Sequence, residues 1–238
     1  TARDTKLPIL KILYANSPVL DDSDGKYNEK AKQGDIYNEV TGSLYKSKEG
    51  VYVVPCLFIN TWNEWADRGD SPGRPYAIYV SQKDQEAAVG KTQRADDGKD
   101  RLENGHYVED TGNHFVYILD KDFNPIESAV ITMKSTQKKK SKLWNSMMQS
   151  KRMKGKNGYF IPPSWASVYK LTTTKESGGG NNWFGWVVEF VKFLDKPDDK
   201  GTLEITKGFY EGAKQSDIFG KVEFAEDKNK IVKEDVPF

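Results

Sequence analysis

Between Glu127 and Glu176 the chain has no Asp or Glu, yet this interval holds eleven of its 36 Lys and Arg residues: Lys134, Lys138, Lys139, Lys140, Lys142, Lys151, Arg152, Lys154, Lys156, Lys170 and Lys175. The remaining chain carries 25 basic residues against all 35 acidic ones, so a formal net charge of +1 conceals a strongly polarised molecule. Such a block attracts a polyanion, because every phosphate it neutralises releases counterions. Aromatic residues run through the same region, namely Trp144, Tyr159, Phe160, Trp165 and Tyr169, with Trp183, Phe184 and Trp186 just downstream. Cations for a phosphate backbone beside flat rings for unstacked bases suit a single strand better than a duplex. A second candidate contact is NTWNEWADRGDSPGRPYAIYV, residues 60–80, where Trp62, Trp65, Arg68 and Arg74 fall on a Gly/Pro-rich loop. The competing account is a solvated lysine face beside ordinary core aromatics, with one of Trp62 and Trp65 closing the core.

Other chemistries have less to draw on. One cysteine, Cys56, and two histidines leave no material for a Cys/His zinc site. Glu64, Asp67 and Asp70, or Glu109 and Asp110, are the carboxylates a magnesium-dependent nuclease would need, and neither group has a recognisable catalytic spacing. His106, Glu109, Asp110 and His114 can be drawn as a metal cluster, but alternating strand positions would turn their side chains apart. The triplet Asp21, Asp22 and Asp24 lacks the later Gly and Glu of a calcium loop. GGGNN is not followed by the Lys-Ser or Lys-Thr of a phosphate loop. These absences point to a binding protein without catalysis, cofactor or metal, while strand annealing or RNA binding would use the same kind of surface.

At 238 residues, with 37% hydrophobic content, the chain can bury one large core. A mean hydropathy of -0.74 and the lack of any apolar run near 20 residues argue against a membrane protein. No signal peptide is legible at the start, where Pro8 and Lys11 break the only short apolar patch. The single cysteine excludes an internal disulfide and fits the cytoplasm. A monomer is the expected state.

The elements that must position the basic block follow from periodicity. Residues 6–14 read as a strand, and residues 34–40 and 43–47 as a hairpin turning at Thr41-Gly42. VYVVPCLFI, residues 51–59, is an apolar run suited to a buried strand, with Pro55 placing it at an edge or bulge. Residues 76–80 form a further strand, and residues 81–104 a short helix or insertion. Strands at 106–119 and 125–133 flank a turn at 120–124. Residues 141–154 read as a helix in which Leu143 and Met147, and Trp144 and Met148, fall four apart, with Gly155 and Gly158 ending it. Pro162 and Pro163 force an extended turn that would hold the Trp165 ring exposed. Strands at 168–174 and 183–194 form a hairpin around a glycine-rich tip, and residues 206–219 a short helix. The expected fold is β-rich α+β, an OB-like or partial β-barrel with short helices. It divides into a single-stranded nucleic-acid-binding domain, residues 1–224, and a disordered acidic tail, residues 225–238.

The final residues Asp235, Val236, Pro237 and Phe238 resemble the tip of bacterial single-stranded DNA-binding proteins. That resemblance implies a docking peptide for replication or repair enzymes and not a DNA contact. Lys228, Lys230 and Lys233 depart from the purely acidic tail of that family. The segments KGKNGYFIPPSWASVYKLTT, VTGSLY and VVPCLFINTWNEW look like phage-encoded single-stranded DNA-binding proteins of larger size. What this implies is a protein of the host-cell cytoplasm that coats and protects single-stranded DNA during phage replication, recombination and repair.

Overall fold

The structure is a computed structural model and describes residues 8–67, 69 and 74–215. In chain order the first half contains β1 (Leu10–Ile12), β2 (Ile36–Asn38), β3 (Leu44–Tyr45), β4 (Val51–Trp65), β5 (Ala77–Tyr79), α1 (Gln82–Val89), β6 (Gln93–Arg94), β7 (Asp100–Arg101) and β8 (Tyr107–Leu119). The second half contains β9 (Pro125–Lys134), α2 (Lys138–Ser150), β10 (Met153–Gly155), β11 (Gly158–Phe160), β12 (Ser167–Gly178), β13 (Asn181–Phe193) and α3 (Lys200–Gln215). Among the described residues no helix is long and apolar enough to cross a membrane.

The frame is an antiparallel sheet. β4 and β8 pair from Tyr52 opposite Leu119 to Trp65 opposite Tyr107, and β9 lines the other side of β8. β12 joins β4 only at Val51–Val53 and turns back into β13. The sheet curls into a half-barrel with three short helices around it, and no described pairing joins β13 to β9 or β6 to close it. The expected β-rich partial barrel is therefore present. The β12–β13 turn is tight: Gly178 opposes Asn181, and Gly179 and Gly180 both have positive φ, 56° and 78°. Two consecutive positive φ values define the hairpin turn that follows the strand twist, and glycine adopts them without steric penalty.

The apolar run of β4 is continuous because both faces are covered. Val51 and Val53 face a core shared with Leu10, Ile36, Val116, Ile131, Trp144, Tyr169 and Trp186, roofed by β1 to β3 and α2. Val54 and Cys56 face the opposite cluster with Leu119, Trp165, Val168, Leu194 and Leu203, where α3 packs. Burial on two sides removes the polar alternation that a half-exposed strand shows. The register shifts between Pro55 and Leu57, placing a bulge at Cys56, beside the proline that signalled it.

Several boundaries differ from the sequence reading. β4 runs on through Trp65, so Trp62 and Trp65 lie on a strand and not on a loop, and at odd spacing they point to opposite faces. α2 begins at Lys138 and ends at Ser150, since β10 takes over at Met153; Gly155 and Gly158 close a hairpin and do not end a helix. α3 starts at Lys200, earlier than expected, because Leu203 and Thr206 are buried against the second core. Residues 225–238, including the tip Asp235, Val236, Pro237 and Phe238, lie outside the described residues, as do Arg68 and the nuclease candidate Asp70.

Candidate nucleic-acid interface

α2 holds the centre of the basic block, and three contacts fix its pose. The Gln137 side-chain oxygen accepts from the Trp186 backbone N–H at 2.9 Å. Ser141 Oγ lies 2.8 Å from His114 Nε2 and packs so closely on β8 that a Cβ at Gly112 would sit 2.4 Å from it. The Trp144 ring stacks on His114 at 4.5 Å and meets Tyr169 edge-on at 5.8 Å. Burial first, then nearby Lys138, pull the His114 imidazole down to about 3, so this core histidine is neutral at physiological pH.

That packing corrects four of the expected base-stacking residues. Trp144, Tyr169 and Trp186 are buried in the first core, and Trp165 is buried in the second. The Pro162-Pro163 turn does not expose Trp165; Ser164–Ala166 coil into a 3-10 turn that folds the ring inward, with Lys207 over it at 5.9 Å. Large rings contribute most when removed from water, and the Trp144/Met148 spacing was in fact the core-facing stripe of α2. Trp183 is half-buried and donates its indole N–H to Glu176 at 2.9 Å. Phe160 is half-buried against Gly155, whereas Tyr159 is 74% exposed at the β10–β11 hairpin.

Nine of the eleven cations, those from Lys134 to Lys156, divide into two sets. Acids from distant strands reach three of them: Lys134 pairs with Glu109 at 2.9 Å, Lys138 with Asp110 at 2.5 Å and Lys140 with Glu176 at 2.7 Å. Lys140 above all, then the Trp183 indole, hold the Glu176 carboxyl below its usual range in spite of burial. Among the described residues, Lys139, Lys142, Lys151, Arg152, Lys154 and Lys156 have no carboxylate partner. Lys151 is half-buried over the Phe190 ring at 4.5 Å; the other five are exposed. All six lie on α2, on the β10–β11 hairpin or in the link between them, and Tyr159 stands opposite Lys154 in the hairpin register. Lysines in the first turn of a helix oppose its dipole, so Lys139 is held there against local electrostatics.

The second expected contact is dispersed. Trp62 and Trp65 are half-buried, and Lys134 lies over the Trp65 ring at 4.7 Å. Arg74 is exposed. Nor do the candidate nuclease and metal residues converge. Glu64 is buried and accepts from Tyr79 Oη at 2.6 Å and Asn104 Nδ2 at 3.2 Å, with His106 Nδ1 at 2.6 Å. Burial pushes its carboxyl up, but those hydrogen bonds together outweigh it and leave the group below its usual range. Arg101 and Lys99 hold Asp67 down to about 2. Glu109 and Asp110 are occupied by lysines, and His114 is enclosed. Among the described residues no three metal-ligating side chains come together.

Two clefts open along β4. The first, about 470 Å³, has Phe58, Asn145, Gln149, Pro162, Tyr210 and Lys214 in its lining and, among the described residues, no acidic one. The second, about 870 Å³, is lined by Glu64, Asp84 and Glu103 with Lys91 as its one cation among the described residues. Sequence reasoning gave no residue of the first cleft a binding role, because its lining comes from four separate segments with no shared motif.

The family model for the Pam3 phage gp34-like protein matches residues 1–218 of the chain. No curated protein and no solved structure matches it. The matched region ends before Asp235, so it does not include the C-terminal tip.

Proposed function

The chain belongs to the Pam3 phage gp34-like family, and we propose that it is a non-catalytic single-stranded DNA-binding protein that coats and protects the strand during phage DNA replication, recombination and repair. The observation that carries this reading is the set of unpaired cations on α2 and the β10–β11 hairpin, with Tyr159 exposed beside them. Charges left without carboxylate partners are available to phosphates, and an exposed ring offers a base a stacking partner without regard to its identity. The aromatic contribution comes from Tyr159, with Phe160 and Trp183 at its margin, and not from the buried tryptophans. A nuclease is disfavoured because Glu64, Asp67, Glu109 and Asp110 are each engaged by protein groups. The tip Asp235 to Phe238 belongs to the same proposal as a docking peptide for replication or repair enzymes.

Fluorescence anisotropy with a labelled single strand, a duplex competitor and magnesium tests it in one titration. Tight binding to the single strand, weak competition by duplex and an intact strand afterwards are expected. Equal competition by duplex, or cleavage of the strand, would overturn the reading.

A further inference from the structure

Resting on the single-strand reading, we infer that the acid-free cleft beside β4 is a pocket for one unstacked nucleobase of the bound strand. The cleft exists because the sheet is interrupted. β12 leaves β4 after Val53 and β5 joins it only at Trp62, so residues 54–61 have a strand neighbour on the β8 side alone. The bulge at Cys56 lies in this gap, where the Ser164 hydroxyl donates to the Cys56 carbonyl at 3.3 Å. The ends of α2 and α3 and the Pro162 turn close the remaining space incompletely.

The cavity, about 470 Å³, falls within the roughly 300–1,000 Å³ of small-ligand sites. Its walls suit a planar heterocycle. Phe58 and Tyr210 offer rings and Pro162 an apolar face, while Asn145 and Gln149 bring amides that can meet a base edge. The Asn145 side-chain oxygen is buried with no hydrogen-bond partner among the described residues, an acceptor left unsatisfied in a residue of the cleft wall. Lys214 stands at the rim for the adjoining phosphate, and Lys142 lies on the α2 face that carries Asn145 and Gln149. Among the described residues no carboxylate lines the cavity to repel that phosphate. Every base has an N–H and a lone pair on its edge, so amide contacts of this kind tolerate sequence. The pocket therefore adds affinity for bases as such.

The test compares the full chain's affinity for a base-bearing oligonucleotide and for an abasic strand of the same length and charge at one salt concentration. The base-bearing strand is expected to bind about a hundredfold tighter, about tenfold through the cleft and about tenfold through Tyr159. Tyr210→Ala, and Gln149→Trp at the exposed mouth, should each erase about tenfold of that difference without changing the affinity for the abasic strand, whereas Tyr159→Ala should leave the cleft's share of it. Equal affinity for both strands would overturn the pocket and spare the single-strand reading. A difference that survives both cleft variants in folded protein and disappears in Tyr159→Ala would place the base on the hairpin and also overturn it. Failure to bind either strand would remove the single-strand reading itself.

Discussion

Two charged regions of the molecule differ in how their charges are used. At the β6–β7 end, Arg94 pairs with Asp100, Lys99 with Asp67, and Arg101 with both Asp67 and Asp97, all within 3.0 Å. Along α2 and the β10–β11 hairpin, six cations have no carboxylate partner among the described residues. The first region is internally neutral and the second projects its charge outward. The neighbouring clefts follow suit, one lined by three carboxylates and the other by none among the described residues. What distinguishes a binding face from a structural one is thus the pairing that the fold imposes, since both regions are rich in Lys and Arg.

The largest expected effect comes from removing what holds the outward-facing region in place. Trp144→Ala deletes a fully buried ring beneath α2 and should destabilise the protein by about 3–5 kcal/mol, read from urea unfolding. A loss below about 1 kcal/mol would mean that α2 is not anchored there. Next comes the charge itself. Replacing Lys139, Lys142, Arg152, Lys154 and Lys156 together with Ala should weaken single-strand binding by about a hundredfold or more near physiological salt, with the urea midpoint nearly unchanged. The matched control, Arg101→Ala at the paired end, should leave DNA affinity as it was and alter stability by about 1 kcal/mol at most, since exposed ion pairs contribute little. Comparable affinity losses from both would erase the contrast between the regions.

Smaller effects sharpen the same contrast. Tyr159→Ala removes an exposed ring, so affinity should fall about tenfold while stability stays within about 0.5 kcal/mol. Glu64→Gln probes the acidic cleft through pH. The folded carboxyl sits below its unfolded value of about 4.3, so its contribution to stability is present above that pH and is lost as pH falls through the folded value. The stability gap between wild type and Glu64→Gln should therefore be full at pH 7 and shrink in acid. A gap independent of pH would show that the carboxylate charge plays no part, and any change in DNA affinity would tie the acidic cleft to binding.

Much of the frame was legible because its signals are local. Strand-like runs around the turn at 120–124 gave β8 and β9 to within a residue or two, Thr41-Gly42 marked the β2–β3 hairpin, and of the edge or bulge that Pro55 signalled the structure has the bulge. The positions of the charges were legible as well, but not their availability. Glu109, Asp110 and Glu176 reach Lys134, Lys138 and Lys140 through sheet register and helix packing, which no window of sequence reveals. The same limit applies to the rings. Trp144, Trp165, Tyr169 and Trp186 have the residue type that stacking needs, but that type gains most by burial, and three of the four went to a core that β4, α2, β12 and β13 build together. The first cleft was invisible for a related reason, since it is a gap between strands.

The central claim is that the unpaired cations of α2 and the β10–β11 hairpin hold a single strand by its phosphates. Its most direct test is the affinity of the full chain for a labelled single strand measured across a range of salt concentrations. Each phosphate engaged should add about 0.7 to the slope of log affinity against log salt, so the six cations together predict a slope of about -4, reduced toward zero in the five-residue Ala variant. A slope near zero in the wild type, or one that the variant leaves unchanged, would contradict the account.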